Sequence, residues 1–263
     1  MIKCELCPAK CQKRFTVGRS LRWHLRAVHS DDPNVDRAVL ARLLDLGDDV
    51  DVTAGSEPPA LHALLAASRD NDCDVLAAAS ESELLAARCV HNSNVVDWAA
   101  GGATSLPALS LLLQRSEALR ALALSGRTET RLGRMAIHWA ARNGRLSNLR
   151  LLRAAGLATG RDVTADGTTP MHLALFGGHL DVAAFLFSCD EEALYDRNHF
   201  GCSAFHWSAM SESDASIRWV FERACPARIS ADDVQANGQK PIDKARLKGN
   251  EAAMRALSEW GCA

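Results

Sequence analysis

Apolar and polar positions along this chain fall into short blocks of helical spacing, and the blocks recur. Within a block the apolar residues line one side, as Leu149, Leu151 and Leu152 do, or Val182, Phe185 and Leu186. Spacings of three and four residues mark one face of an amphipathic helix. A His, or an Asp in its place, opens an apolar run at positions 62, 97, 138, 172, 206 and 243, at intervals of 35, 41, 34, 34 and 37 residues. A sustained period of about 20–50 residues signals stacked supersecondary units. The pattern predicts an all-α solenoid of helix pairs in which no unit buries its apolar face alone. The longest interval holds an insertion near Gln114 to Thr130, expected as a longer loop or an extra helical turn. Leu106 to Leu113 is apolar but far shorter than the roughly 18 residues a membrane span needs, and reads as a buried repeat helix.

The clearest block is Asp166-Gly167-Thr168-Thr169-Pro170-Met171-His172-Leu173-Ala174-Leu175-Phe176-Gly177-Gly178-His179-Leu180. Thr169 suits the N-cap of a helix and Pro170 its first turn. Gly178, like Gly144, suits the helix exit, and small residues such as Ala140 and Ala174 let helices approach. Related pieces are Gly133 to Gly144, Gly201 to Ala209 and Asn237 to Ala245, with a degenerate version at Pro59 to Leu64 and another at Val96 to Gly102. These blocks resemble ankyrin repeats, closely over residues 131–263 and more loosely over 35–130. The expected array is 37–263, with about six repeats. The resemblance implies protein recognition through the concave face and the hairpin tips, which should lie near Arg161 to Ala165, Asp196 to Phe200 and Asp232 to Ala236. It also implies that His62, His138, His172 and His206 make structural hydrogen bonds rather than bind metal. Asp243 and the polar helix after it fit an end cap.

Tryptophan is the unusual feature. Trp98, Trp139 and Trp207 each follow the His/Asp position directly, so they should form part of a row along the first helices. One reading is a partner-binding strip joined by Arg142, since Trp is enriched at binding hot spots. The other is that the indoles fill gaps between Ala-rich helices. Trp219 and Trp260 occupy other positions and are expected to pack. Gly101-Gly102 is expected as a turn, because no Lys-Ser/Thr follows as a phosphate loop requires.

The first 30 residues are different in kind. Cys7-x3-Cys11-x12-His24-x4-His29 has the ligand types and spacing of a Cys2His2 zinc finger, a small ββα module, and Phe15 and Leu21 match its internal apolar pair. Residues 2–29 resemble such fingers. A segment this short does not bury enough surface to fold alone, and Zn2+ would supply the missing free energy. Cys4-Glu5-Leu6-Cys7 is a second knuckle, so Cys4 is an alternative ligand. Residues 31–36 read as a linker. Base-reading positions of such a helix would fall on Val17, Ser20 and Trp23, which are poor partners for paired base contacts. Phosphate contact by Lys13, Arg19, Arg22 and Arg26 stays open, as does stacking of Trp23 on an RNA base.

Charge agrees with that division. Residues 1–29 carry seven Lys/Arg against one acid, leaving 23 basic and 31 acidic residues of the 30 and 32 in the whole chain. Beyond the N-terminal three, cysteines are scattered singly, which suits a reducing compartment. No apolar stretch follows Met1 as a secretory signal would. The expectation is an intracellular monomer, in cytoplasm or nucleus. The composition holds no nucleophile-base-acid set and no nucleotide fingerprint. The reading is a non-enzymatic scaffold or adaptor with an unidentified protein partner. The alternative is a nucleic-acid-associated regulator whose finger touches DNA or RNA.

Overall fold

The computed structural model describes residues 2–3, 14–15, 59–89, 91–102, 106–129, 132–211 and 214–260. Contacts divide the chain into two units, Met1–Glu57 and Pro58–Ala263. In the first, β1 (Ile2–Lys3) pairs antiparallel with β2 (Arg14–Phe15), Ile2 opposite Phe15 and Lys3 opposite Arg14. The proposed ligands Cys4, Cys7, Cys11, His24 and His29 lie outside the described residues. So do Lys13, Arg19, Arg22, Trp23, Arg26, the linker and the beginning of the array up to residue 58.

The second unit is helical and contains six stacked blocks among the described residues. The first block is α1 (Pro59–Asp70), α2 (Cys73–Ala78) and α3 (Glu81–Ala86). The second is α4 (Val95–Gly101), α5 (Pro107–Arg115) and α6 (Glu117–Glu129). Four regular pairs follow. They are α7 (Ala136–Arg142) with α8 (Leu146–Ala154), and α9 (Pro170–Gly177) with α10 (Leu180–Cys189). The last two are α11 (Ala204–Ala209) with α12 (Ala215–Arg223), and α13 (Pro241–Lys248) with α14 (Glu251–Glu259).

The insertion expected as a loop or single turn is a whole helix, α6, of 13 residues. Its amphipathic spacing explains this: Leu119, Leu122 and Ala123 are buried, and the Ser116 hydroxyl accepts the Leu119 N–H at 3.2 Å. Asn94 ties it down by donating to the Leu122 carbonyl at 3.0 Å. The register at His62 also differs from expectation. His62 is the fourth residue of α1, whereas Asp97, His138, His172, His206 and Asp243 are each third in their helices.

One chain of contact runs α1, α4, α7, α9, α11, α13, each first helix against the next, while the later helices of each block touch more sparsely. Alanine and glycine make that approach possible. Ala99, Ala100, Ala136, Ala140, Ala141, Ala174, Ala204, Ala209 and Ala245 are all buried. Gly102 is obligatory: a Cβ there would stand 2.5 Å from the Arg69 carbonyl oxygen. Gly101-Gly102 therefore serves close packing where α4 ends. Closer approach of the first helices than of the second bends the stack, with the first helices on its concave side.

Three histidines bolt neighbouring blocks together. His138, His172 and His206 accept the backbone N–H of their own N-cap residue on Nδ1, each at 3.2 Å. On Nε2 they face a carbonyl of the next block's hairpin: Asp162 at 3.0 Å, Asp196 at 3.1 Å and Gln239 at 3.2 Å. An imidazole that accepts on one nitrogen and donates on the other is neutral. Burial agrees, pushing His138 and His172 down to about 4 and lowering His206. In α4 and α13 a carboxylate does the first half of this work: Asp97 accepts the Asn94 N–H at 3.1 Å, and Asp243 the Lys240 N–H at 2.9 Å.

A second set of side chains caps the C-terminal carbonyls of the first helices, groups that a helix leaves without internal partners. Asn143 donates to the Gly101 carbonyl at 2.7 Å, His179 meets the Arg142 carbonyl at 3.1 Å, and Asn250 donates to that of Ser211 at 2.5 Å. Asn148 donates to the Ala99 and Ala100 carbonyls, both at 3.1 Å. Each bond crosses from one block to its predecessor.

The hairpin tips lie where the repeats place them. Ala165 N–H donates to the Leu132 carbonyl at 2.9 Å, His199 to Asp166 at 2.8 Å and Ala236 to Phe200 at 2.8 Å. The bends at Gly167, Gly201 and Gly238 have φ of +78°, +75° and +84°, which glycine adopts without a side-chain clash. Asp166 fixes its own bend by accepting from the Thr164 hydroxyl at 2.5 Å and the Thr168 N–H at 3.3 Å. Those bonds outweigh the burial that would raise its pKa and hold the carboxyl below the usual range.

Candidate partner-binding face

The first helices present two rows to the concave side. One row is the residue after the His/Asp position: Trp98, Trp139, Leu173, Trp207 and Lys244. The other lies three residues further on: Gly101, Arg142, Phe176, Met210 and Leu247. Residues three apart on a helix are neighbours, so the rows form one strip. Leu173 is buried at 1% exposure. Trp98, Trp139, Arg142, Phe176, Trp207, Met210 and Lys244 are half-buried, and Leu247 is open to solvent.

The three indoles differ in their surroundings. Trp98 and Trp207 lean on the hydrophobic core. Trp207 also stacks on the His172 ring, centroids 5.7 Å apart at 25°, and meets the edge of Phe176 at 6.0 Å. Trp139 lies against Gly101, whose missing Cβ would come 3.1 Å from the Trp139 Cβ, and carries the Arg134 guanidinium over its ring at 5.1 Å. The indole N–H groups of Trp139 and Trp207 are buried without a hydrogen-bond acceptor. Each indole thus has one side in the packing and another at the surface.

The sequence reading missed Phe176, which joins the two ends of the strip. Arg142 lies over its ring at 4.2 Å and Lys248 at 5.4 Å. The available signal was positional: Phe176 stands four residues after His172, as Arg142 stands four after His138. Trp219 and Trp260 pack as expected on the second helices. Trp219 meets Phe187 edge-on at 5.9 Å, and Trp260 stacks on Phe221 at 3.8 Å.

The tips carry a separate line of exposed apolar side chains, Leu132, Val163, Phe200 and Val234. Arg197 pairs with Asp233 at 2.6 Å across two tips, and Arg161 pairs with Asp196. Among the described residues no group of three His, Cys, Asp or Glu side chains could hold a metal ion. Among them, too, no helix is long and apolar enough to cross a membrane.

Stacked helix pairs, projecting hairpins and three histidines that each reach the next block are features of ankyrin repeats, and comparison of the sequence with protein families finds such repeats. The ankyrin-repeat family, described as three copies, matches residues 98–196. No curated protein matches the sequence. Among solved structures the chain is similar to one in the complex of Bd0816, a predatory endopeptidase from Bdellovibrio bacteriovorus, with immunity protein Bd3460. The likeness has a TM-score of 0.55 at 19% identity and covers 78% of this chain and 99% of that one. At that identity it reports the fold alone.

Proposed function

We propose that this protein is a non-enzymatic interaction scaffold that binds a protein partner along its concave strip. The observation that carries this reading is the row of half-buried indoles at equivalent positions of three first helices, α4, α7 and α11. A rigid aromatic platform with one ring side at the surface suits recognition. Trp98, Trp139, Trp207 and Arg142 are its proposed contacts. Truncating Trp139 to Ala should reduce partner capture by the full chain at least tenfold while lowering the melting temperature only modestly. A large loss of melting temperature, of the size seen when a buried Trp is removed (about 3–5 kcal/mol), would place Trp139 in the core and remove the strip.

The N-terminal segment is read as a zinc-stapled finger held by Cys7, Cys11, His24 and His29, with Cys4 as the alternative ligand. The antiparallel pairing of Ile2–Lys3 with Arg14–Phe15 supports it, because all three cysteines fall between the paired strands, as in a finger hairpin. Zn2+ would serve structure by joining cysteines to histidines that a short segment does not hold together unaided. Metal analysis of the purified chain should give about one zinc, abolished by Cys11→Ser and spared by Cys4→Ser. The reverse pattern would assign the Cys4/Cys7 knuckle, and near-zero zinc in the unsubstituted chain purified without chelator would remove the finger.

A further inference from the structure

We infer that the second helices carry a further docking surface, formed by Arg150, Arg153 and Phe185, for an acidic segment of a protein partner. This surface belongs to the outer side of the stack, away from the concave strip, and is tested apart from it.

Helix α8 contains two arginines and no acid. Arg150 and Arg153 stand three residues apart, so they are neighbours on one face of the helix. Both reach the same ring of the next block. The Arg150 guanidinium lies 5.0 Å from the centroid of Phe185 on α10, and that of Arg153 lies 5.9 Å from it. Arg153 also rests against Gly160, whose missing Cβ would come 3.0 Å from its Nη1. Arg150 is exposed, while Arg153 and Phe185 are half-buried.

The ring-bound arginines further along the array show what this pair lacks. Arg218 lies over Trp260 at 5.9 Å and pairs with Asp214 at 2.7 Å. Arg223 lies over Trp219 at 4.5 Å and pairs with Glu222 at 3.0 Å. Arg228 lies over Tyr195 at 3.6 Å and holds Glu192 through two bonds of 2.7 and 2.6 Å. Each of these guanidiniums has both a ring and a carboxylate. Arg150 and Arg153 have the ring, but among the described residues no hydrogen bond or ion pair engages either guanidinium. This holds in a body where residues 30–263 carry 31 acids against 23 bases.

The component this arrangement lacks is the carboxylate, and a partner supplies it. A guanidinium stacked on a ring keeps its edge of N–H donors for paired bonds to a carboxylate. Two such edges on one ring suit a segment with two acidic side chains a few residues apart. Holding them in place beforehand lowers the ordering cost of binding. A nucleic acid fits less well. Its affinity comes from many phosphate contacts along a basic stripe, whereas this pair stands alone, with Asp181 one turn before Phe185 on α10.

The test is selection from a displayed library of random 16-residue peptides on the full chain. Each labelled winner is then measured by fluorescence anisotropy on the unsubstituted, Arg150→Gln/Arg153→Gln and Trp139→Ala chains. The expected result is a class of winners with two or more Asp or Glu. Their affinity should fall about tenfold in Arg150→Gln/Arg153→Gln, hold in Trp139→Ala and weaken with added salt. Replacing the acids of such a winner by Asn or Gln should cost as much on the unsubstituted chain, which separates lost contact from lost folding. Arg150→Lys/Arg153→Lys keeps the charge but not the planar fork and should lose severalfold. An empty selection, winners that all ignore the double substitution, or sensitive winners without acids would overturn the inference. So would a labelled 20-mer DNA duplex or RNA strand whose binding is lost in Arg150→Gln/Arg153→Gln. Winners that need Trp139 and ignore Arg150 and Arg153 would support the strip and remove this surface; the opposite pattern supports this surface and counts against the strip.

Discussion

At the scale of single residues, the buried imidazoles dominate the electrostatics. His138 and His172 titrate at about 4 when folded, against an ordinary value of 6.5, because burial penalises the cation. Between those two pH values the unfolded chain binds more protons than the folded one, so stability rises with pH across that window. Their contribution is complete above about pH 6.5 and is lost as pH falls toward 4, on the order of 3 kcal/mol per imidazole. His206 is lowered for the same reason and adds in the same direction. Urea midpoints should drop steeply from pH 7 to pH 4.5, and His172→Asn should be less stable at pH 7 but show a shallower slope. A flat wild-type profile over that range would mean the rings are not held neutral. These roles were legible in advance, because His at one fixed position of each repeat implies one repeated bond. Its far end was not, because the accepting carbonyls lie 24, 24 and 33 residues further on and a carbonyl leaves no mark in the side-chain pattern.

At the scale of elements, the regular pairs α7 to α14 followed from period, caps and glycines, as did α1, α4 and α5, while α2, α3 and α6 of the two N-terminal blocks did not. Ser80-Glu81-Ser82-Glu83 is a capping box: the Ser80 N–H donates to Glu83 at 2.8 Å and the Glu83 N–H to the Ser80 hydroxyl at 3.3 Å. That signature announces α3, yet a repeat template passes over it because it expects one second helix. Helix α6 escaped for the same reason. Its seat is tight: a Cβ on Gly126 would lie 1.8 Å from the Arg134 carbonyl oxygen. Gly126→Ala should therefore force α6 away from the start of α7 and destabilise by about 2–3 kcal/mol, as overpacking does. Gly156, at φ +71° with nothing near its missing Cβ, should lose only about 1 kcal/mol on the same change. Thermal melts of the two variants side by side decide it; equal losses would mean α6 yields freely. The aromatic row was visible from position alone, but Phe176 as its hinge was not, since its two cations approach from different repeats.

At the scale of the whole molecule, the block α13 and α14 matters as the cover of the block before it. Helix α13 replaces histidine with Asp243, whose bonds stay within its own helix start, and exposes Arg246, Leu247 and Lys248. Deleting residues from Ala236 onward would strip the cover from Ile217 and Val220, remove the Trp260 ring from Phe221, and take the Gln239 carbonyl from His206. The truncated chain should aggregate and lose cooperative unfolding; a monomer of unchanged melting temperature would contradict that dependence. The histidine bolts also have a direction. Each imidazole belongs to one repeat and its carbonyl to the next, so a repeat leaving the ribosome holds an unmet N–H until a further 24 to 33 residues have been added. Synthesis therefore locks these three repeats from behind, each sealed by its successor, and a chain cut short just after any of them leaves that repeat the least secured.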